Sequence, residues 1–191
     1  MSIRKSDYTV HPVFLNRWSP RSLTGEEISD EELFTLFEAA RWAPSNYNSQ
    51  PWRFFYAKRQ TPEWELFYQL LVPYNRQWTK RAAVLVVMAS RQNYEFDEKP
   101  NPTHSFDTGA AWMSLALQGF MRGWVVHGMS GFDYARAQEK LKIPKGYQVE
   151  AMAAIGRRAS KELLSQEMQK DEAPSERRPL EEILFRGAFP S

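Results

Sequence analysis

The run "AVLVVMA", residues 83 to 89, limits the fold of this chain more than any other stretch. Seven apolar residues in a row, three of them valine, favour a strand. The lack of alternation means that both of its faces are covered. A strand hidden on both sides needs a layer on each side, so the chain reads as a layered α+β or α/β domain. Its 191 residues suffice for one core and one domain. The apolar run is also far too short to cross a bilayer.

Helical periodicity supplies the covering layers. Ser29 and Glu32 read as a capping box and Ile28 as a staple onto Leu33. Leu33, Leu36, Phe37 and Ala40 then form the inward face of a helix that Pro44 ends. "WRFFYA" (52–57) reads as an aromatic strand, and Thr61 with Pro62 as the start of a helix over "PEWELFYQLL". "SFDTGAAWMSLALQGFM" (105–121) is the most apolar helix. It is apolar nearly all round, so it is expected inside the core or in a subunit interface. "WVVHGM" after Gly123 reads as a short strand, Asp133 as the cap of a helix to about Leu141, and "YQVEAMAAIG" (147–156) as the last core strand. From about residue 170 a polar arm, "KDEAPSERRP", leads into "RRPLEEILFRGAFP" (177–190). Such an apolar tail is expected to dock on its own domain or on a partner subunit.

Composition excludes several function classes. A net charge of +2 without a basic run gives no footing for a nucleic-acid partner. With no cysteine there is no disulfide framework, thiolate metal site or thiol nucleophile, which fits a reducing compartment. "MSIRKSDYTVHP" has no apolar stretch behind its basic residues and is not read as a signal peptide. The expected setting is cytoplasmic, with no membrane partner. Neither a Gly-x-Gly-x-x-Gly turn, nor a Walker loop, nor a Gly-x-Ser-x-Gly elbow is present. His11, His104 and His127 lack metal-ligand spacing. His127, at a strand end beside "GMSGF", reads either as a catalytic group or as a structural one.

Two polar stretches remain. In "NRWSPRS" (16–22) Arg17, Ser19 and Arg21 alternate, so in extended chain they project to one side. They make either an anion clamp or a solvated turn. In "APSNYNSQPW" Ser45, Asn46, Asn48 and Gln50 offer hydroxyl and amide groups between two prolines. That suits a heterocycle with a mixed donor and acceptor edge, or a loop of local turns. Seven Trp, eight Tyr and twelve Phe serve a core, a pocket for a planar ligand, or both.

In order along the chain come "NRWSPRSL", "EAARWAPSNYNSQPWRFF", "YNRQW", "DTGAAWMSLALQGFMRGWVVHGMSGFD" and "RRPLEEILFRGAF". Together, from near residue 12 to the end, they resemble the FMN-dependent nitroreductase family. The resemblance implies an α+β homodimer with a central antiparallel or mixed sheet flanked by helices. Its C-terminal tail docks on the partner, and two FMN sites lie at the subunit interface. It assigns Arg17 and Ser19 to the phosphate end and Arg21 to the pyrimidine edge, with Trp18 between them at a variable position. Ser45, Asn46 and Asn48 fall on the flavin-contacting loop, and Asn75 on the asparagine that bonds the ring. Met129, Ser130 and Gly131 fall on the loop beside the reactive nitrogen. Arg178, with Arg177 as rival, matches the basic residue that closes on the phosphate. A second basic residue after Asn75 is common in the family; here Arg76 and Lys80 are both candidates.

The implied activity is ping-pong transfer of a hydride from NADH or NADPH through FMN to an electron-poor aromatic, quinone or similar small acceptor. The flavin carries the chemistry, so no catalytic side chain is required. Trp78 or Phe132 would narrow the pocket, and residues 91–104 would form a short mobile cover. Three other readings stay open: a scaffold for dehalogenation or flavin fragmentation, a flavin store or sensor without turnover, and a phosphate-ligand binding domain.

Overall fold

In the computed structural model, which describes residues 4–189, the valine-rich run lies at the centre of a sheet. The first three residues of "MSIRKSDYTVHP" and Pro190 of the tail lie outside the described residues. The strands are β1 (Trp52–Lys58), β2 (Val84–Arg91), β3 (Trp124–Met129) and β4 (Tyr147–Arg157), in the spatial order β1-β2-β4-β3. Every pair is antiparallel, so of the two sheet types the antiparallel one is adopted. The helices are α1 (Pro12–Asn16), α2 (Asp30–Arg41), α3 (Trp64–Leu70), α4 (Pro73–Thr79), α5 (His104–Met121), α6 (Tyr134–Lys140) and α7 (Gln166–Lys170).

The two faces of β2 build two cores. Leu85, Val87 and Ala89 pack with Phe67, Leu70, Trp78, Met152 and Ala154 on the side of α3, α4 and α6. Val84, Val86 and Met88 pack with Leu36, Leu115, Ala153 and Ile155 on the side of α2 and α5. Alternate side chains of a strand point to opposite faces, so one apolar run serves both layers. The register slips between Met88 and Ala89. Met88 pairs with Ala151 and Ala89 with Val149, which leaves Glu150 as the extra residue of a β-bulge.

Local signals place the helix ends. Ser29 Oγ accepts the Glu32 N–H at 3.1 Å, as an N-cap should. The Glu32 carboxylate turns instead to Trp124 Nε1 (3.3 Å) and Arg157 (3.5 Å). Trp124 is buried and its indole N–H needs an acceptor, so Glu32 ties α2 to β3. Pro62 lies in a turn before α3, where Thr61 Oγ1 donates to the Lys58 carbonyl, and the helix begins at Trp64.

Gly119 lets α5 lie against β3; a Cβ there would fall 2.7 Å from Val126 Cγ2. α5 is not enclosed all round. Its buried side carries Ala111, Leu115 and Ala116, while Phe106 is 79% exposed and Met121 is also open. The tail shows the same pattern, with Ile183, Leu184 and Phe189 exposed.

Replacing Leu36 by alanine should destabilise the protein by about 2–5 kcal/mol through the cavity it leaves. Ser29→Ala should cost about 1 kcal/mol through loss of the cap. Urea denaturation of the two variants checks this order.

Candidate functional site

The segment after α1 runs extended beneath the C-terminal arm. Its backbone is held from that side. The Glu172 carboxylate accepts the N–H groups of Arg21 and Ser22, both at 2.9 Å. Arg4 donates to the carbonyls of Arg17 (2.9 Å) and Ser175 (2.8 Å), joining segment and arm. The side chains of Arg17, Trp18, Ser19 and Arg21 then line a hollow of about 280 Å³, together with His127 and Arg177.

Arg17 Nη1 donates to Ser19 Oγ at 3.3 Å. Among the described residues no carboxylate pairs with the guanidinium of Arg17, Arg21 or Arg177 within salt-bridge distance. Burial first, then the charges of Arg4 and Arg177, holds the Arg17 pKa below the usual guanidinium value. A guanidinium nevertheless stays charged. Arg4 and Asp171 also line the hollow, so four guanidiniums face one carboxylate there, and the excess positive charge favours an anion.

Ser19 also lines a second, larger cavity of about 390 Å³. Its walls include Met88, Trp112, Gly128, Met129 and Ser130. Gly128 lets the Trp112 ring come close, since a Cβ would lie 3.0 Å from Trp112 Cζ2. Trp112 Nε1 is buried without a partner, an unspent donor in the cavity wall. Ser105, Thr108 and Glu150 line another part of it.

Asn75 braces the loop that ends β3. Its Nδ2 donates to the Gly131 carbonyl at 2.9 Å, and its Oδ1 accepts from Trp78 Nε1 at 3.2 Å. A Cβ at Gly131 would meet Asn75 Nδ2 at 2.6 Å, so a larger residue there would displace the Asn75 amide from this bond. Trp78 and Phe132 are buried in the core and line neither cavity. They do not narrow the pocket. Of the two basic candidates after Asn75, Arg76 has a buried Nε without a partner, and Lys80 lines a separate hollow with Arg21 and Trp78.

His127 packs its ring 4.6 Å from that of Trp78, and its Nδ1 lies 3.0 Å from the Pro20 carbonyl. A carbonyl only accepts, so the ring carries its hydrogen on Nδ1. Burial lowers the His127 pKa, outweighing the bond to Pro20. The neutral ring supports the 17–22 segment through Pro20.

The structure does not bring residues 45–50 to these cavities within one chain. Tyr47, Asn48 and Gln50 have φ of 50°, 53° and 46°. This left-handed backbone costs roughly 1–2 kcal/mol per residue. Its supports are Ser45 Oγ accepting from Gln50 N (3.0 Å), Asp107 Oδ2 accepting from Asn46 N (3.1 Å), and Asn46 Nδ2 donating to the Tyr94 hydroxyl (2.6 Å). The loop turns Tyr47 outward, 78% exposed.

Residues 91–104 are pinned rather than a free cover. Asn93 bridges Pro100, and Arg91 pairs with Glu95 (2.8 Å) and Glu98 (2.5 Å). Arg178 lies apart from the basic hollow, exposed and 4.0 Å from Glu182. Sequence reasoning did not find Arg4, Glu172, Trp112 or Glu150. Their roles depend on contacts across 13 to 171 positions or on the bulge, and neither leaves a local signal.

A base held neutral by burial binds fewer protons folded than unfolded, so stability rises with pH across its titration. The contribution of neutral His127 is full above the unfolded value of about 6.5 and is lost as pH falls toward the lower folded value. Thermal melts between pH 7.5 and 5 should show a steeper loss for the wild type than for His127→Gln.

A model of the nitroreductase family matches residues 15–71 and 56–157. An FMN-containing oxidoreductase of known structure is 46% identical, with a TM-score of 0.96 over all of this chain and 98% of that one. A nitroreductase-type protein from Desulfovibrio desulfuricans, in complex with FMN, is 25% identical, with a TM-score of 0.74 over 95% of this chain and all of that one. An uncharacterised 15.4 kDa protein of Mycolicibacterium smegmatis is 26% identical over 120 residues, 62% of this chain and 80% of its own length. With an antiparallel sheet clad by helices, a basic hollow joined at Ser19 to a larger cavity, and a family match over most of its length, this chain belongs to the nitroreductase family.

Proposed function

We propose that the protein is an FMN-dependent oxidoreductase that takes a hydride from NADH or NADPH and reduces an electron-poor acceptor, such as a nitroaromatic or a quinone, by ping-pong turnover. The observation that carries this reading is the pair of hollows meeting at Ser19, one where four arginines outnumber the single carboxylate of Asp171 and one wide and walled mainly by apolar groups. FMN has a dianionic phosphate at one end and a flat ring at the other, and the residues fit both. When bound, it supplies the exchange of hydride and electrons.

The chain's own residues bind and orient. Arg17, Ser19 and Arg177 are assigned to the phosphate, with Trp18 beside them, its ring under Arg158 at 5.0 Å. Arg177 replaces Arg178 in this role because Arg177 lines the basic hollow. Arg21 and Asn75 are assigned to the polar edge of the ring, and the backbone of Met129, Ser130 and Gly131 to its reactive nitrogen. Asn75 also holds that loop in place through Gly131.

Ser45, Asn46 and Asn48 lie away from the cavities of their own chain, so they are assigned to the site of the partner in a homodimer. The open side of α5 and the exposed apolar tail are the surfaces such a partner would cover. No helix among the described residues is long and apolar enough to cross a membrane. The cysteine-free composition suits the cytoplasm, where we place the enzyme.

Purified protein should be yellow or take up FMN, and NADPH or NADH added without oxygen should bleach it. A yellow protein that neither donor bleaches would indicate storage or sensing instead. Arg17→Ala and Arg177→Ala should each weaken FMN binding by about 1.5–3 kcal/mol, the range for a charged hydrogen bond. Arg178→Ala should change it by less than about 0.5 kcal/mol, as for an exposed site. Fluorescence titration of the flavin-free protein measures all three.

A further inference from the structure

The bulge between β2 and β4 puts a carboxylate where regular pairing would not. Bulges re-aim side chains, often beside active sites. The side chain of Glu150, the unpaired residue of the bulge, is 18% exposed and lines the 390 Å³ cavity with Ser105. Three elements converge on it. Ser90 of β2 donates to Glu150 Oε1 at 2.5 Å, Ser105 in the first turn of α5 donates to the same oxygen at 2.7 Å, and Gln148 donates to Oε2 at 3.2 Å.

His104 completes the group. Its Nδ1 lies 2.7 Å from Ser90 Oγ, 3.2 Å from Ser105 Oγ and 3.5 Å from Glu150 Oε1. Each serine has one hydroxyl hydrogen and gives it to Glu150, so the short contact with Ser90 requires hydrogen on His104 Nδ1. The result is a directed chain from imidazole through hydroxyl to carboxylate, with one hydroxyl at the cavity.

Resting on the oxidoreductase reading above, we infer that Ser105 delivers the proton that accompanies hydride transfer to the acceptor. His104 resupplies Ser105, and Glu150 and Ser90 position both. Ser105 is then a catalytic residue, and the other three act through it. Reduction of a nitro group to a nitroso group consumes one hydride and one proton. One N–O bond breaks, nitrogen gains two electrons, and the oxygen leaves as water with both hydrogens. The nicotinamide is oxidised. Ser105 turns its hydroxyl hydrogen from Glu150 to the acceptor, gives it up, and takes the one on His104 Nδ1, 3.2 Å away and otherwise directed at Ser90. The imidazole, at 17% exposure, regains one from solvent at Nε2 and returns to the Nδ1 tautomer by exchange with solvent.

The test uses full-length protein loaded with FMN, as wild type, Ser105→Ala and Glu150→Gln. Flavin content is read from the visible spectrum. Turnover is then measured with nitrobenzene, which needs the proton, and with ferricyanide, which takes electrons alone. The nitrobenzene-to-ferricyanide ratio of kcat should fall about 100-fold or more in both variants, the usual scale for a lost proton donor. In flavin-free protein, ¹⁵N NMR should show a slowly exchanging His104 Nδ1–H that Glu150→Gln exposes to exchange. An unchanged ratio, or equal slowing with both acceptors, overturns the relay. Ser105 is exposed and on a helix, so its alanine variant keeps the test open if Glu150→Gln fails to fold. A wild type that takes up no flavin overturns both the relay and the proposed function, and the spectrum shows this before any turnover is measured.

Discussion

The antiparallel pairing of β2 with β4 is the interaction on which the rest of the structure depends. Val84 pairs with Ile155 and Arg91 with Tyr147, and the side chains between them face two different cores. Because both faces are apolar, neither helical layer can be removed without exposing the sheet. The same pairing carries the one irregularity that matters for the cavity, since the slip after Met88 sets Glu150 apart from the ladder. One pair of strands therefore serves both cores and contributes Met88, Glu150 and Ala151 to the cavity wall.

The basic hollow depends on a different kind of contact. Arg17, Ser19 and Arg21 stand on an irregular segment, and irregular backbone needs partners for its polar groups. Glu172 and Arg4 supply them from opposite ends of the chain. With the backbone satisfied, the guanidiniums are free to face the hollow. They form no ion pair among the described residues, although Asp171 lines the same hollow, and charged donors of this kind suit an anion such as phosphate.

Loop 45–50 is built apart from both cavities of its own chain. Three departures into left-handed backbone, at Tyr47, Asn48 and Gln50, are held by hydrogen bonds to α5 and Tyr94. The loop spends Ser45 and Asn46 on its own shape and presents Tyr47 outward. Strain of this kind persists where the surroundings fix it, and it concentrates at functional sites. The apolar side of α5 that carries Phe106 stays open in the same chain.

Much of the fold was legible because its signals are local. Seven valine-run residues, the Ser29 cap, the aromatic strand after Pro51 and the Asp133 cap each act within a few positions. The strands and longer helices lie within a few residues of where those signals put them. The order of five motifs was enough to suggest the family. Tertiary structure alone decided that Arg177 rather than Arg178 faces the hollow, that Trp78 and Phe132 belong to the core, and that residues 91–104 are pinned. It also decided that Glu150 meets Ser90, His104 and Ser105. Local sequence sets caps, turns and periodicity through nearest neighbours, whereas these contacts depend on strand register and on the packing of segments up to 171 positions apart.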